Sequence, residues 1–265
     1  MKHFILNSEP GINDNIRLEG NDYHYLVRVR RLAAGDSFPA LLPNGEETLV
    51  KIISADRNTL IGKCNTQKCV NSFDKIPPII LFQAIPKGDK MDLIVRQAAE
   101  SGITEIVPFM SEFSVGKAAA GGQKFSRWEK IIKEARQQSG SKIATKINPL
   151  LSIKELLEYW HKLKKEDVLG LIFLEKGLEN QSLHGYLINN PKIVIMVIGS
   201  EGGFSEKEVS IFLDNGFMPL TIGDTILRTE TAALYFAAAV RILLLERDSW
   251  ELKRNPVKQT KTDSE

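Results

Sequence analysis

Thiol chemistry has little to work with in this chain: its 265 residues include two cysteines, Cys64 and Cys69. Two cysteines make no disulfide framework and suit a reducing compartment. Nor do they make a zinc site, because no second pair and no nearby histidine completes a tetrahedral set. The four histidines, His3, His24, His161 and His184, are scattered without ligand spacing, so no metal is expected. Long apolar runs are missing too. No stretch reaches the roughly 20 apolar residues of a membrane span, and the opening MKHFILNSEP lacks the apolar stretch of a signal peptide. A cytoplasmic protein with no membrane partner is expected. Neither G-x-x-x-x-G-K-[ST] nor G-x-G-x-x-G occurs, which removes the two common nucleotide-phosphate loops. Excess charge of one sign is also scarce: 35 Lys and Arg against 33 Asp and Glu leave a net +2. A nucleic-acid partner must therefore be argued from local clusters.

What is present is an ordinary globular balance, 43% hydrophobic and 26% charged, in two textures. Up to about residue 72 the chain carries short β-like pieces. Phe38 to Leu42, Thr48 to Ser54 and Thr59 to Cys64 read as strands, with Pro43-Asn44-Gly45 as a turn. A small β-barrel is expected there. Lys75-Ile76-Pro77-Pro78 reads as a linker. Strand and helix then alternate. Ile79 to Ala84 is an apolar strand, and Met91, Ile94, Val95 and Ala98 follow at helical spacing up to Gly102. Ile103 to Phe109 is the next strand. Ser126 and Glu129 make a capping-box pattern before Trp128, Ile131, Ile132 and Ala135. Val168 to Leu174 and Ile193 to Ile198 are apolar enough for central parallel strands. Ser205 with Glu208 predicts a second capping box. Met218 to Ile222 reads as a strand, and Thr229 to Glu246 as one long helix. The pattern predicts residues 1–72 as a β-rich module, 73–252 as an α/β domain, and a polar, disordered tail over 253–265.

Ligands of parallel sheets bind at the carboxyl ends of the strands, and two glycine-bearing loops fall there. In Ile198-Gly199-Ser200-Glu201-Gly202-Gly203-Phe204-Ser205 the glutamate argues against phosphate. Two like charges ~4 Å apart repel by roughly 4 kcal/mol at an effective dielectric near 20, against about 1.5–3 kcal/mol from one charge-assisted hydrogen bond. A neutral or cationic ligand suits the loop better; alternatively Glu201 folds back onto backbone amides. The second loop runs from Thr221 to Thr231. In it Thr229 is a plausible helix N-cap, and Glu230 complements the helix dipole. Arg228 is a fixed donor for an RNA phosphate or a base carbonyl, or else pairs with Glu201 or Glu230.

Four segments in this order carry a resemblance: His24-Tyr25-Leu26-Val27-Arg28-Val29-Arg30-Arg31-Leu32-Ala33-Ala34-Gly35-Asp36, Pro86-Lys87-Gly88-Asp89-Lys90-Met91 through Gly102, the Ile198–Ser205 loop, and Ile226-Leu227-Arg228-Thr229-Glu230-Thr231-Ala232. Together they resemble the RsmE family of ribosomal RNA methyltransferases, of the SPOUT superfamily, from about Phe4 to Leu245. The resemblance implies a fold: an α/β SPOUT methyltransferase domain with a C-terminal trefoil knot, preceded by a small PUA-like β-barrel domain. It also implies a homodimer, S-adenosylmethionine as methyl donor, and methylation of N3 of one uridine in the decoding region of 16S ribosomal RNA, on the assembled small subunit. A transfer-RNA-directed relative and a non-catalytic ribosomal-RNA-binding assembly factor are the alternatives.

By that resemblance Leu174, Gly199, Glu201, Gly202, Ile222, Gly223, Ile226, Leu227 and Thr229 are assigned to the cofactor pocket. Arg228 is assigned to stabilise charge on a uracil carbonyl oxygen, and Glu201 to accept a proton. Arg28, Arg30, Arg31, Lys87, Lys90, Arg136 and Gln138 form the expected RNA surface. Three places depart from the family pattern: Ser200 stands where a proline is usual, Phe113 where an arginine is common, and Ser141-Lys142 where an arginine follows Gln138-Ser139.

Overall fold

The computed structural model describes residues 3–65, 76–114, 122–164, 167–175, 182–221, 223 and 225–246. Among them, the first five strands are β1 (Phe4–Ile5), β2 (Asn15–Glu19), β3 (Ser37–Leu41), β4 (Glu47–Ala55) and β5 (Thr59–Asn65). They form one sheet in the order β1-β3-β4-β5-β2. Period-2 alternation drives it: β2 and β5 each turn every second residue inward. Phe38, Val50, Ile52 and Leu60 meet in a core of their own. Between β2 and β3 a short helix α1 (Gly20–Tyr23) runs into a wider π-helical turn, His24–Val29, which holds Leu26 in that core and leaves the arginines outside.

The second unit is a seven-stranded parallel sheet. Its strands are β6 (Ile79–Ala84), β7 (Glu105–Met110), β8 (Lys146–Ile147), β9 (Leu151–Ser152), β10 (Val168–Phe173), β11 (Ile193–Ile198) and β12 (Met218–Leu220). The order is β12-β10-β11-β6-β7-β8, with β9 also on β7. Every residue of β6 is buried, as a strand covered on both faces requires. Alternate side chains feed two cores. Leu81, Ile106, Leu171 and Met196 face α2 (Lys90–Glu100), α3 (Gly122–Ser139), α5 (Leu183–Leu187) and α7 (Thr229–Leu245). Phe82, Val107, Ile172 and Ile195 face α4 (Ile153–Leu163) and α6 (Glu206–Asp214). Gly102 closes α2 at φ +76° while the Ile103 N–H donates to Ala98 O at 2.9 Å, a Schellman ending.

Two helix starts differ from the sequence expectation. Helix α3 begins at Gly122, so Ser126 lies within it rather than at its cap. In α7 the cap position belongs to Arg228, whose extended backbone (φ −64°, ψ 150°) precedes the first turn and whose side chain makes no cap bond. Thr229 is the first helical residue, and its hydroxyl has another use, described below. The predicted box at Ser205 and Glu208 is present, and Ser152 with Glu155 makes a second. The linker's Lys75, the last residue of the predicted 218–222 strand (Ile222), Cys69 and the 253–265 tail lie outside the described residues.

Candidate functional site

Parallel pairing brings the carboxyl ends of β6, β7, β10, β11 and β12 to one edge of the sheet. Two loops there are tied by one buried hydroxyl. Thr229 Oγ1 donates to Gly199 O at 2.6 Å and accepts from Gln83 Nε2 at 3.0 Å. Gln83, at the end of β6, is fully buried. A core amide therefore fixes the start of α7 against the end of β11.

Between these loops lies a narrow cleft of about 60 Å³. Its walls include Leu174, Gly199, Gly223, Ile226, Leu227 and Thr229, six of the residues assigned to the pocket from the sequence. Ile222 lies outside the described residues. Glycine at 199 is required by contact: a Cβ there would come within 2.9 Å of Gly203 O. Gly203 itself turns at φ +66°, so Ser200 and Gly203 close a tight bridge. Ser200, Thr221, Ala232 and Phe236 also line the cleft. So does Glu175, the one charged side chain among the described lining residues, directly after Leu174. Sequence reasoning passed over Glu175 because it stopped at the end of an apolar run. The strand's direction was the available signal, since it delivers the next residue to the binding edge.

Glu201 and Gly202 are not among the lining residues. Both Glu201 carboxylate oxygens accept from the Lys87 N–H at 3.1 Å, and Oε1 accepts from Lys90 Nζ at 2.6 Å. Partial burial pushes its pKa up, but the Lys90 ammonium and the backbone N–H groups of its own loop and of Lys87 outweigh that and hold it below the usual carboxylate value. Glu201 thus clasps the loop after β6 to the loop after β11. Gly202 lies against Phe113, whose Cβ would be 3.0 Å from a Cβ at Gly202. The Phe113 loop is anchored in turn, because the Glu112 N–H donates to Glu208 Oε1 at 2.7 Å.

Arg228 is exposed between two lining residues, Leu227 and Thr229, and its side chain has no hydrogen-bond or ion-pair partner among the described residues; the pairing with Glu201 or Glu230 is not formed. Of the expected RNA residues, Arg28, Arg30, Arg31 and Lys87 are exposed, while Lys90 holds Glu201. Arg30 and Gln138 share a groove of about 530 Å³ between the N-terminal sheet and helices α2 and α3, together with Tyr25, Arg96 and Glu100. Arg136 departs from the expectation of a surface residue. It is 6% exposed, its Nε and Nη2 have no partner among the described residues, and burial lowers its pKa. Its position on the inner side of α3, next to Ala135, buries it. Among the described residues no cluster of three His, Cys, Asp or Glu forms a metal site, and no helix is long and apolar enough to cross a membrane.

Comparison with known proteins adds sequence evidence to this geometry. Residues 74–241 match the model of the RNA methyltransferase domain family, and residues 18–63 that of the RNA methyltransferase PUA domain. The chain is 36% identical to ribosomal RNA small subunit methyltransferase E 2 of Borreliella burgdorferi, over 84% of this chain and 88% of that one. It is 30% identical to ribosomal RNA small subunit methyltransferase E of Synechocystis, over 91% of this chain and 77% of that one. Its fold superposes on a crystal structure of ribosomal RNA small subunit methyltransferase E from Neisseria gonorrhoeae bound to S-adenosyl methionine, with a TM-score of 0.77, 24% identity and coverage of 92% and 98%.

Proposed function

This chain belongs to the ribosomal RNA small subunit methyltransferase E family, and from that membership we propose that it methylates N3 of one uridine in the decoding region of 16S ribosomal RNA, on the assembled small subunit, with S-adenosylmethionine as methyl donor. The observation that carries the reading is the glycine-walled cleft with an unpartnered, exposed arginine at its mouth. The residues present fit the donor. Leu174, Ile226, Leu227 and Phe236 offer apolar walls to an adenosine, Gly199 lets the Gly203 backbone close the loop beside them, and Ser200 carries a buried hydroxyl with no partner among the described residues. Among the described lining residues the one charged side chain is Glu175, whose carboxylate favours a sulfonium and an ammonium over a phosphate.

S-adenosylmethionine, when bound, supplies an electrophilic methyl group. The chain's own work is then alignment. Thr229 and Gln83 hold the two loops in register, and Glu201 clasps the neighbouring loop. Arg228 reaches the incoming base and stabilises the negative charge that develops on a uracil carbonyl oxygen as the N3 proton leaves. Glu201 serves as a brace in this reading. Its depressed pKa and engaged oxygens make it a weak proton acceptor.

The wider reading treats residues 1–72 as a PUA-like β-barrel that docks RNA, 73–252 as a SPOUT domain whose β11–α6–β12–α7 passage forms a trefoil knot, and 253–265 as a tail. It makes the protein a cytoplasmic homodimer. The support for the dimer is α7, apolar nearly all round, which leaves Leu234, Tyr235, Ile242 and Leu245 exposed within a sector of about 100°.

Radiolabelled methyl transfer tests the function. Purified protein is offered naked 16S ribosomal RNA, assembled small subunits and transfer RNA, and the product is mapped by reverse-transcription stops. Label at a uridine of the small subunit is expected. Label only in transfer RNA, or RNA binding without transfer, would replace the reading with a transfer-RNA enzyme or an assembly factor.

A further inference from the structure

Two hydroxyls beside the cleft are left over by every hydrogen bond described so far. Ser200, two residues past the end of β11, is 5% exposed, and its Oγ has no partner among the described residues. Thr221, directly after β12, has a shielded Oγ1 in the same condition. Both residues line the cleft. Buried hydroxyls in native proteins are nearly always paired, because an unpaired one forfeits its hydration for nothing. Near Ser200 two backbone carbonyls already hold other donors. The Gly199 carbonyl is already engaged by Thr229, and the Ser200 carbonyl by the Gly203 N–H at 3.0 Å.

The two hydroxyls flank β10, since the sheet order is β12-β10-β11. Two strand intervals separate the strands that carry them, roughly 10 Å. A single small polar group cannot meet both. An elongated ligand lying across the end of β10, over Leu174 and Glu175, can. S-adenosylmethionine has polar groups at both ends of its nucleoside, on the adenine edge and on the ribose and amino-acid side. We propose that Ser200 Oγ and Thr221 Oγ1 each hydrogen-bond the bound S-adenosylmethionine, at opposite ends of the part that lies across β10. The inference rests on the cofactor assigned above. Ser200 occupies the place where the family pattern has a proline, which has no hydroxyl to offer, so at Ser200 the contact belongs to this chain in particular.

Calorimetric titration with S-adenosylmethionine, paired with thermal unfolding of ligand-free protein, tests it on the full chain and on Ser200→Ala, Thr221→Val and the double variant. Each single change is expected to weaken binding about three- to tenfold, the worth of one neutral hydrogen bond, and the double change by about the product. Each is also expected to leave the ligand-free melting temperature unchanged or to raise it, because an unpaired buried hydroxyl has been removed. A hydroxyl with a merely structural role would move the two readouts together, with lower melting temperature and weaker binding, and that pattern overturns the inference. So does binding unchanged within twofold in the double variant while the parent binds. A parent that does not bind at all overturns the cofactor assignment itself, which separates the two failures.

Discussion

Thr229 joins three segments of chain through one atom. Its Oγ1 donates to Gly199 O and accepts from Gln83 Nε2, in a site only 4% exposed. Valine keeps the shape and removes both bonds, leaving the buried Gly199 carbonyl with only the longer 3.3 Å bond from Gln83 Nε2. Thr229→Val should lower stability by about 1–3 kcal/mol, a drop of a few degrees in melting temperature for a chain this size, and Thr229→Ser should recover most of it. Glu201 makes a different prediction. Its folded-state pKa is depressed, so its contribution is present above the unfolded carboxylate value and is lost only as pH falls through the lower folded value. The carboxylate is therefore ionised throughout pH 6–9. With Glu201 and Lys90 side chains 26% and 36% exposed, solvent keeps the pair's worth to about 1 kcal/mol or less. Glu201→Gln should reduce kcat/KM by loosening the clasp while leaving the shape of the pH–rate curve between 6 and 9 unchanged. Loss of an acidic limb in that range would return Glu201 to the role of base. Arg228→Ala has the opposite signature: methyl transfer down by about 10²–10³, as for a lost oxyanion donor, with S-adenosylmethionine affinity measured by calorimetry unchanged.

Among the elements, α6 has its stability concentrated in one carboxylate. Glu208, 3% exposed, closes the capping box on Ser205 and reaches across to the Glu112 N–H at 2.7 Å. Glu208→Ala removes its half of the capping box and leaves the part-buried Glu112 N–H without its acceptor, and should cost about 1–3 kcal/mol in urea unfolding. Glu208→Gln, with one good acceptor left, should fall between. Half of this residue's work was legible in the sequence. Ser205 and Glu208 are three apart, and local spacing announces a capping box. The bond to Glu112, 96 residues away, has no local signature. The same division runs through the fold. The apolar runs of β6 and β11 and the alanine-rich α7 announce themselves, because burial on both faces leaves only one residue class. Strand β1 is two residues long and exists only because it pairs with β3 some 36 residues later, so nothing in Phe4–Ile5 marks it. Ser126 misled for a related reason: the box motif is a local pattern, and a helix that starts four residues earlier makes it an interior serine. In the site, the glycines were legible through their motif, whereas Glu175, Ser200 and Thr221 acquire meaning only from the strand order.

For the molecule as a whole, the question is how two units present RNA to one cleft. Lys133 on α3 ties them together, donating to Asn7 Oδ1 at 2.6 Å with Asp22 3.4 Å away. Beside that tie, Arg30 from the first unit and Arg96 from the second face one groove, with Tyr25 stacked on Phe4 at 6.2 Å. Glu100 and Glu134 line the same groove, so it is not uniformly cationic, but two arginines beside an exposed aromatic ring suit a single strand, phosphates on the arginines and a base on the ring. Phosphate contacts release counterions, so RNA affinity should fall by about 0.7–0.9 log units per contact for each tenfold rise in salt. Arg30→Ala and Arg96→Ala should each reduce that slope by nearly one contact in filter-binding titrations from 50 to 300 mM salt, and together by nearly two. Arg136 provides the contrast. Its buried guanidinium meets no phosphate in this arrangement, so Arg136→Met should leave the slope unchanged and, by removing an unpaired buried charge, should not lower the melting temperature. A slope reduced by Arg136→Met would mean that α3 moves when RNA binds. A slope indifferent to Arg30 and Arg96 would take the strand out of the groove altogether.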